Sequence, residues 1–128
     1  MTHRSLRIPS LAALLLACLF AAHAMAHHGW SWAEAEQIEL TGTVERVQIA
    51  PPHPWLEIET EDDGTWRVEL GNPRGTERAG FVEGSAQPGD RITAVGNRSK
   101  DRGEKRMKAV QLTVGDRTYD IYPERIQP

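Results

Sequence analysis

From residue 38 onward the apolar positions recur every second residue, the period of a strand with one buried face. Ile38, Leu40 and Val44 alternate with Glu39, Thr41, Thr43 and Glu45, after which the phase slips and Val47 and Ile49 carry the apolar face. A slip of this kind beside Gly42 predicts a bulge or strong coil in a long first strand. Leu56 and Ile58 alternate with Glu57 and Glu59, the turn Glu61-Asp-Asp-Gly64 follows, and Trp66, Val68 and Leu70 alternate with Arg67 and Glu69. That is the pattern of a β-hairpin.

Asn72-Pro73 reads as a helix cap with proline at the first helical position, opening a short helix through about Ala79 that Gly75 and Gly80 weaken. Pro88-Gly89-Asp90 is a turn that launches a strand over residues 91–97, and a polar loop at 98–106 leads to a strand carrying Val110, Leu112 and Val114. Gly115-Asp116 turns the chain into a last strand around Tyr119 and Ile121. Three strands, a short helix, then two or three strands predict an all-β domain with minor α content. The order suits a small five- to six-stranded barrel of the oligonucleotide/oligosaccharide-binding (OB) type, with a β-sandwich as the alternative.

Before this domain the pattern changes. Arg4 and Arg7 precede the apolar run Leu11-Ala-Ala-Leu-Leu-Leu-Ala-Cys-Leu-Phe-Ala-Ala22, shorter than the ~20 residues that span a bilayer and followed by small residues. Residues 1–26 are therefore expected to be a secretory signal peptide, residues 27–37 an N-terminal His/Trp segment, and 38–128 a single barrel domain. A cut after Ala26 exposes His27, and a cut after Ala24 exposes Met25. Leu15-Leu16-Ala17-Cys18 resembles a lipobox, so a membrane attachment is expected only if Cys18 is lipidated. The expected address is periplasmic or secreted.

Removing the signal leaves 13 basic against 18 acidic side chains, a net charge of −5. An acidic domain is a poor phosphate binder, which argues against nucleic acid as a partner. Cys18, the one cysteine, leaves with the signal, so the exported domain has neither a disulfide nor a thiolate ligand and depends on its core for stability.

His27-His28-Gly29-Trp30, Ile38-Glu-Leu-Thr-Gly-Thr-Val44, Pro52-His53-Pro54-Trp55 and Gln87-Pro-Gly-Asp90 together resemble a family of short secreted bacterial proteins, domain of unknown function 6152. Its pattern is a His-His pair after the signal, a Leu-Thr-Gly-Thr-Val strand, an Asn-Pro-His segment and a Pro-Gly-Asp turn. Pro52 stands here where the pattern has Asn, which removes any amide contact from that position. The resemblance covers nearly all of the exported chain, implies export and a single domain, and brings no established activity.

Three of the five histidines, His27, His28 and His53, remain after cleavage, and all lie in these motifs. Cleavage before His27 gives one residue both an α-amine and an imidazole, an arrangement resembling the histidine brace of copper monooxygenases, with His53 to complete it. Cleavage before Met25 puts His27 third, where amine, two backbone amides and imidazole wrap Cu(II) in a square plane. Zinc is the second choice, since a structural zinc site takes four ligands and a carboxylate such as Glu34 or Glu36 would have to join. Against this stands the reading of His27 and His28 as a solvated tail and of His53 as a strand cap.

Trp30 and Trp55 form a candidate ligand platform, with Trp32 beside the first; Trp66, in phase with Val68 and Leu70, belongs to the core. The chain carries no Gly-x-Ser-x-Gly elbow, His-Glu-x-x-His helix or phosphate loop. It is expected to be a binding protein rather than an enzyme. Two readings follow: a copper- or zinc-binding protein using His27, His28 and His53, or an OB-like module that takes a peptide, glycan or periplasmic partner protein with no metal role.

Overall fold

The alternation that begins the domain becomes a coiled strand, β1 (Ala33–Gln48), followed by the hairpin β2 (Trp55–Thr60) and β3 (Gly64–Glu69). The computed structural model describes residues 29–128. Residues 1–26, where the signal peptide and its two cleavage points were expected, lie outside the described residues with Cys18, His27 and His28. The chain divides into two units, residues 1–31 and 32–128. Of the first, the described residues 29–31 lie in a turn.

After β3 come the helix α1 (Pro73–Arg78), β4 (Arg91–Ser99), β5 (Arg106–Val114), β6 (Arg117–Asp120) and a 3-10 turn at Pro123–Arg125. Asn72 caps α1 as its sequence suggests: its side chain accepts from Gly75 N at 2.7 Å. The strands lie in the order β3-β2-β1-β4-β5-β6, and a parallel pairing of β3 with β5 closes the ring. This is the OB-like barrel expected from the strand order, with β6 as a sixth strand on β5.

β1 runs across both halves of the barrel, its first part paired with β4 and its second with β2. The anticipated phase slip is a register shift between Val44 and Arg46, which leaves Glu45 as the extra residue. Gly42 serves a different purpose, since a Cβ there would lie 2.5 Å from the Glu59 carbonyl oxygen of β2. β1 also starts earlier than the alternation indicated. Residues 33–37 join it because a second irregularity, between Ala33 and Gln37, is filled by buried Asn97, whose amide donates to the carbonyls of Glu34 and Ala35 at 3.0 and 3.1 Å.

The inward faces of these strands form one core of Val44, Leu56, Ile58, Trp66, Val68, Leu70, Ile92, Ala94, Met107, Ala109 and Leu112. Phe81, after α1, meets Tyr119 of β6 edge to face at 5.2 Å and so ties the helical connection to the barrel. Each fully buried large side chain contributes about 1.5–3 kcal/mol of transfer free energy, so a barrel with no disulfide holds together through this interior.

Candidate functional site

With the apolar residues turned inward, the alternation turns Arg46 of β1, Glu57 of β2, Arg67 of β3 and Arg106 of β5 outward. The pairings Arg46 with Glu57, Glu57 with Arg67 and Arg67 with Arg106 set these four in one cross-strand row. Three guanidinium groups and a single carboxylate therefore share a line across the barrel's outer face. The next row holds Trp55, Glu69 and Lys108.

Two of the arginines rest on indole rings. The Arg67 guanidinium carbon lies 4.3 Å from the centre of the Trp55 ring, and that of Arg106 lies 3.8 Å from the centre of the Trp32 ring. A guanidinium held over an aromatic face is more restricted than a free side chain, so its N–H groups take a partner at lower entropic cost. Glu69 lies between them, with Oε1 2.9 Å from both Nε and Nη2 of Arg106 and 3.7 Å from Nε of Arg67. Arg46 is 3.7 Å from Glu57.

Two loops flank this face. Residues 49–54 lead into Trp55 and carry His53, which is exposed. Residues 100–105 join β4 to β5 and are fixed by Arg67 N donating to the Lys105 carbonyl and Lys100 N to that of Trp32, both at 2.9 Å. Arg102 pairs with Glu34 at 2.8 Å, and Lys105 pairs with Asp63, donating also to the Asp63 backbone carbonyl. Asp63 accepts from Trp66 Nε1 at 3.0 Å as well. The Lys105 hydrogen bond, followed by that of Trp66, holds the Asp63 carboxyl below its ordinary pKa.

At the other end of the face Lys108 is 3% exposed, and its Nζ lies 5.8 Å from the Tyr122 ring. Burial lowers the Lys108 pKa, with Glu69 opposing that shift, and burial raises the Tyr122 phenol. The C-terminal segment lies across this end: Ile121 and Tyr122 donate through their backbone N–H groups to the Val110 carbonyl, and Gln37 Nε2 donates to the Arg125 carbonyl at 2.6 Å.

Of the residues singled out from sequence, Trp55 and His53 lie next to this face. Trp55 is on the outward side of β2 with Glu57 and Glu59, yet only 9% exposed, and its indole acts as the support of Arg67 more than as a bare stacking surface. Trp30 belongs to the other unit, and His27 and His28 lie outside the described residues. Among the described residues no group of three or more His, Cys, Asp or Glu side chains is arranged to hold a metal ion. Arg46, Arg67, Arg106, Glu57 and Glu69 were not singled out from sequence. Their outward phase was legible, but the pairing of β3 with β5 that gathers them joins residues nearly forty positions apart.

The model of a family of unknown function (DUF6152) matches residues 14–125. No curated protein matches the sequence. Solved structures similar in fold include the S. pombe Stn1-Ten1 complex, at 18% identity and TM-score 0.49, covering 61% of this chain and 57% of that one. A complex of TiaS with a transfer RNA and ATP is similar at 20% identity and TM-score 0.47, covering 62% of this chain and 18% of that one. The mitochondrial single-stranded DNA-binding protein Rim1 from S. cerevisiae is similar at 10% identity and TM-score 0.47, covering 62% of this chain and 94% of that one.

The exclusion of nucleic acid that net charge suggested does not stand, and a single-stranded DNA-binding protein is among the structures similar in fold. The physical fault in that exclusion is that net charge averages over the whole surface while binding is local. Residues 98–108 alone hold six Lys and Arg against two Asp and Glu, in a chain whose overall charge is −3.

Proposed function

The chain belongs to the family of unknown function (DUF6152), and we propose that it is an exported binding protein that takes a partner protein on the outer face of β2, β3 and β5. One observation carries this reading: Arg67 on Trp55 and Arg106 on Trp32, side by side across the β3–β5 pairing. Arg and Trp dominate binding energy at protein interfaces, because they combine large apolar area with directional donors and lose little freedom when already held in place. The outer face of the second and third strands and the two flanking loops are also where OB barrels take oligonucleotides and oligosaccharides, which marks this surface as the one open to a ligand. Export is supported by the signal-like residues 1–26, with Arg4 and Arg7 before an apolar run and small residues after it.

The test is site-specific photo-crosslinking in cells that export the protein. A photoreactive residue at Thr65, exposed beside Arg67 on β3, is compared with one at Asp116, exposed in the β5–β6 turn. Adducts from position 65 that are absent from 116 support the reading. Equal adducts, or none, sink it.

A second reading, a Cu(II) site built from His27, His28 and His53 with zinc as the lesser choice, is supported by the solvent exposure of His53. Cu(II) competition on the exported protein, after intact mass fixes its N-terminus, tests it against His53→Ala. At least tenfold weaker binding by the variant, about 1.4 kcal/mol, is expected; equal affinity removes His53 from the site.

A further inference from the structure

Resting on the reading of the outer face as a protein-binding surface, we infer that the partner presents an acidic, extended segment that lies across the row Arg46, Glu57, Arg67, Arg106 toward the loop at 100–105. Spacing sets the first constraint. Neighbouring strands lie about 4.8 Å apart, so Arg46 and Arg67, separated by β2, stand roughly 10 Å apart at the backbone, and Arg67 and Arg106 stand roughly 5 Å apart. Carboxylates on alternate residues of an extended chain recur about every 7 Å, within reach of this row for side chains as long as arginine and glutamate.

The charges point the same way. Arg46 and Arg67 keep 67% and 43% of their side chains exposed, and each meets its carboxylate neighbour only at 3.7 Å. Their guanidinium groups still have donor edges for a second carboxylate, which a planar fork can bind through two parallel hydrogen bonds. In the loop, Arg102 and Lys105 are exposed but already paired, with Glu34 and Asp63, so the free donor edges are those of Arg46 and Arg67. The single carboxylate in the row, Glu57, interrupts the strip. A peptide with spaced acids is able to place an uncharged residue there, whereas a polyphosphate backbone brings a charge at every step. Each supporting indole also has one ring face already covered by guanidinium, which reduces the aromatic surface on which bases would stack.

The experiment uses the full exported chain and three fluorescent probes: a short peptide of alternating Glu and Thr, its Lys/Thr counterpart, and an oligothymidylate of matching charge. Anisotropy is read for the wild type, Arg46→Gln and Arg67→Gln, with thermal melts to confirm that each variant is folded. The acidic peptide is expected to bind, to weaken at least tenfold with either variant, and to weaken steeply between about 50 and about 300 mM salt as the Debye length shortens. The Lys/Thr peptide is expected not to bind. Failure of the acidic peptide to bind, or equal binding by all three proteins, overturns the inference. Tighter, Arg67-dependent capture of the oligothymidylate overturns it in favour of nucleic acid. In any of these cases crosslinks at position 65 still decide the surface separately, so loss of the acidic segment and loss of the surface are distinguishable.

Discussion

Arg106 donates to one oxygen of Glu69 through both Nε and Nη2, each 2.9 Å away, while the centre of the Trp32 ring lies 3.8 Å from its guanidinium carbon. Glu69 has 13% of its side chain exposed and also lies 3.7 Å from Arg67 Nε. This carboxylate therefore balances a crowd of positive charge where the barrel closes.

Replacing Glu69 by Gln keeps the shape and removes the charge. Arg106 is then left with the more distant Glu104, at 4.0 Å, and the positive charges beside the buried Lys108 at the β3–β5 contact are less well balanced. Breaking a fully buried pair costs about 3–5 kcal/mol, and with Arg106 partly solvated a loss of about 2 kcal/mol is expected. Urea unfolding of Glu69→Gln beside the wild type checks it, and an unchanged midpoint would show that the pair contributes nothing.

Lys108→Met should behave in the opposite way. The lysine is buried, and that burial disfavours the ammonium. A thioether of similar length has no such penalty, and Glu69 keeps Arg106. Stability is expected to stay within about 1 kcal/mol of wild type or to rise; the same unfolding curves measure it, and a large loss would mean that the ammonium makes essential bonds.

Asp63 makes the acid limb of stability depend on the end of the hairpin. Lys105 and Trp66 stabilise its ionised form in the fold, so its folded pKa lies below the ordinary value of 3.8. The contribution is complete above that ordinary value and is lost as pH falls through the lower folded one. Wild type is therefore expected to be more stable than Asp63→Asn at neutral pH, with the two converging under acid. Denaturation followed by tryptophan fluorescence at several pH values reads the difference, and a constant gap down to strong acid would contradict it.

Gly96→Ala is predicted to be among the most damaging single changes in the barrel. An added Cβ would lie 2.2 Å from the Lys108 carbonyl oxygen and 2.8 Å from Ala109 Cα, both backbone atoms that move only if β4 and β5 separate. A cost of about 3 kcal/mol or more is expected, at the upper end for overpacking. A melting temperature within a few degrees of wild type would show that the pairing gives way easily.

Much of the fold could be read locally. Alternation over a few residues selects which side chains are apolar on one face, and with the turn residues it yields the hairpin at Gly64, the cap at Asn72, the bulge beyond Gly42 and the core assignment of Trp66. Each depends on residues close together in the chain, where backbone geometry and side-chain period are set by neighbours. The start of β1 was less legible, because residues 33–37 do not alternate cleanly and owe their place to Asn97, some sixty positions away.

The candidate face was legible only in halves. Phase alone turns Arg67 and Glu69 outward, and composition alone marks 98–108 as basic. What brings the halves together is the parallel contact of β3 with β5, three residue pairs long, which places Arg67 against Arg106 and Glu69 against Lys108. Local pattern is enough to set most of each strand, its buried side and the lack of any disulfide in the barrel. Tertiary structure alone decided that Trp55 lies beneath Arg67, that Trp32 lies beneath Arg106, and that the arginines form a row, because ring closure pairs residues whose separation no local pattern encodes.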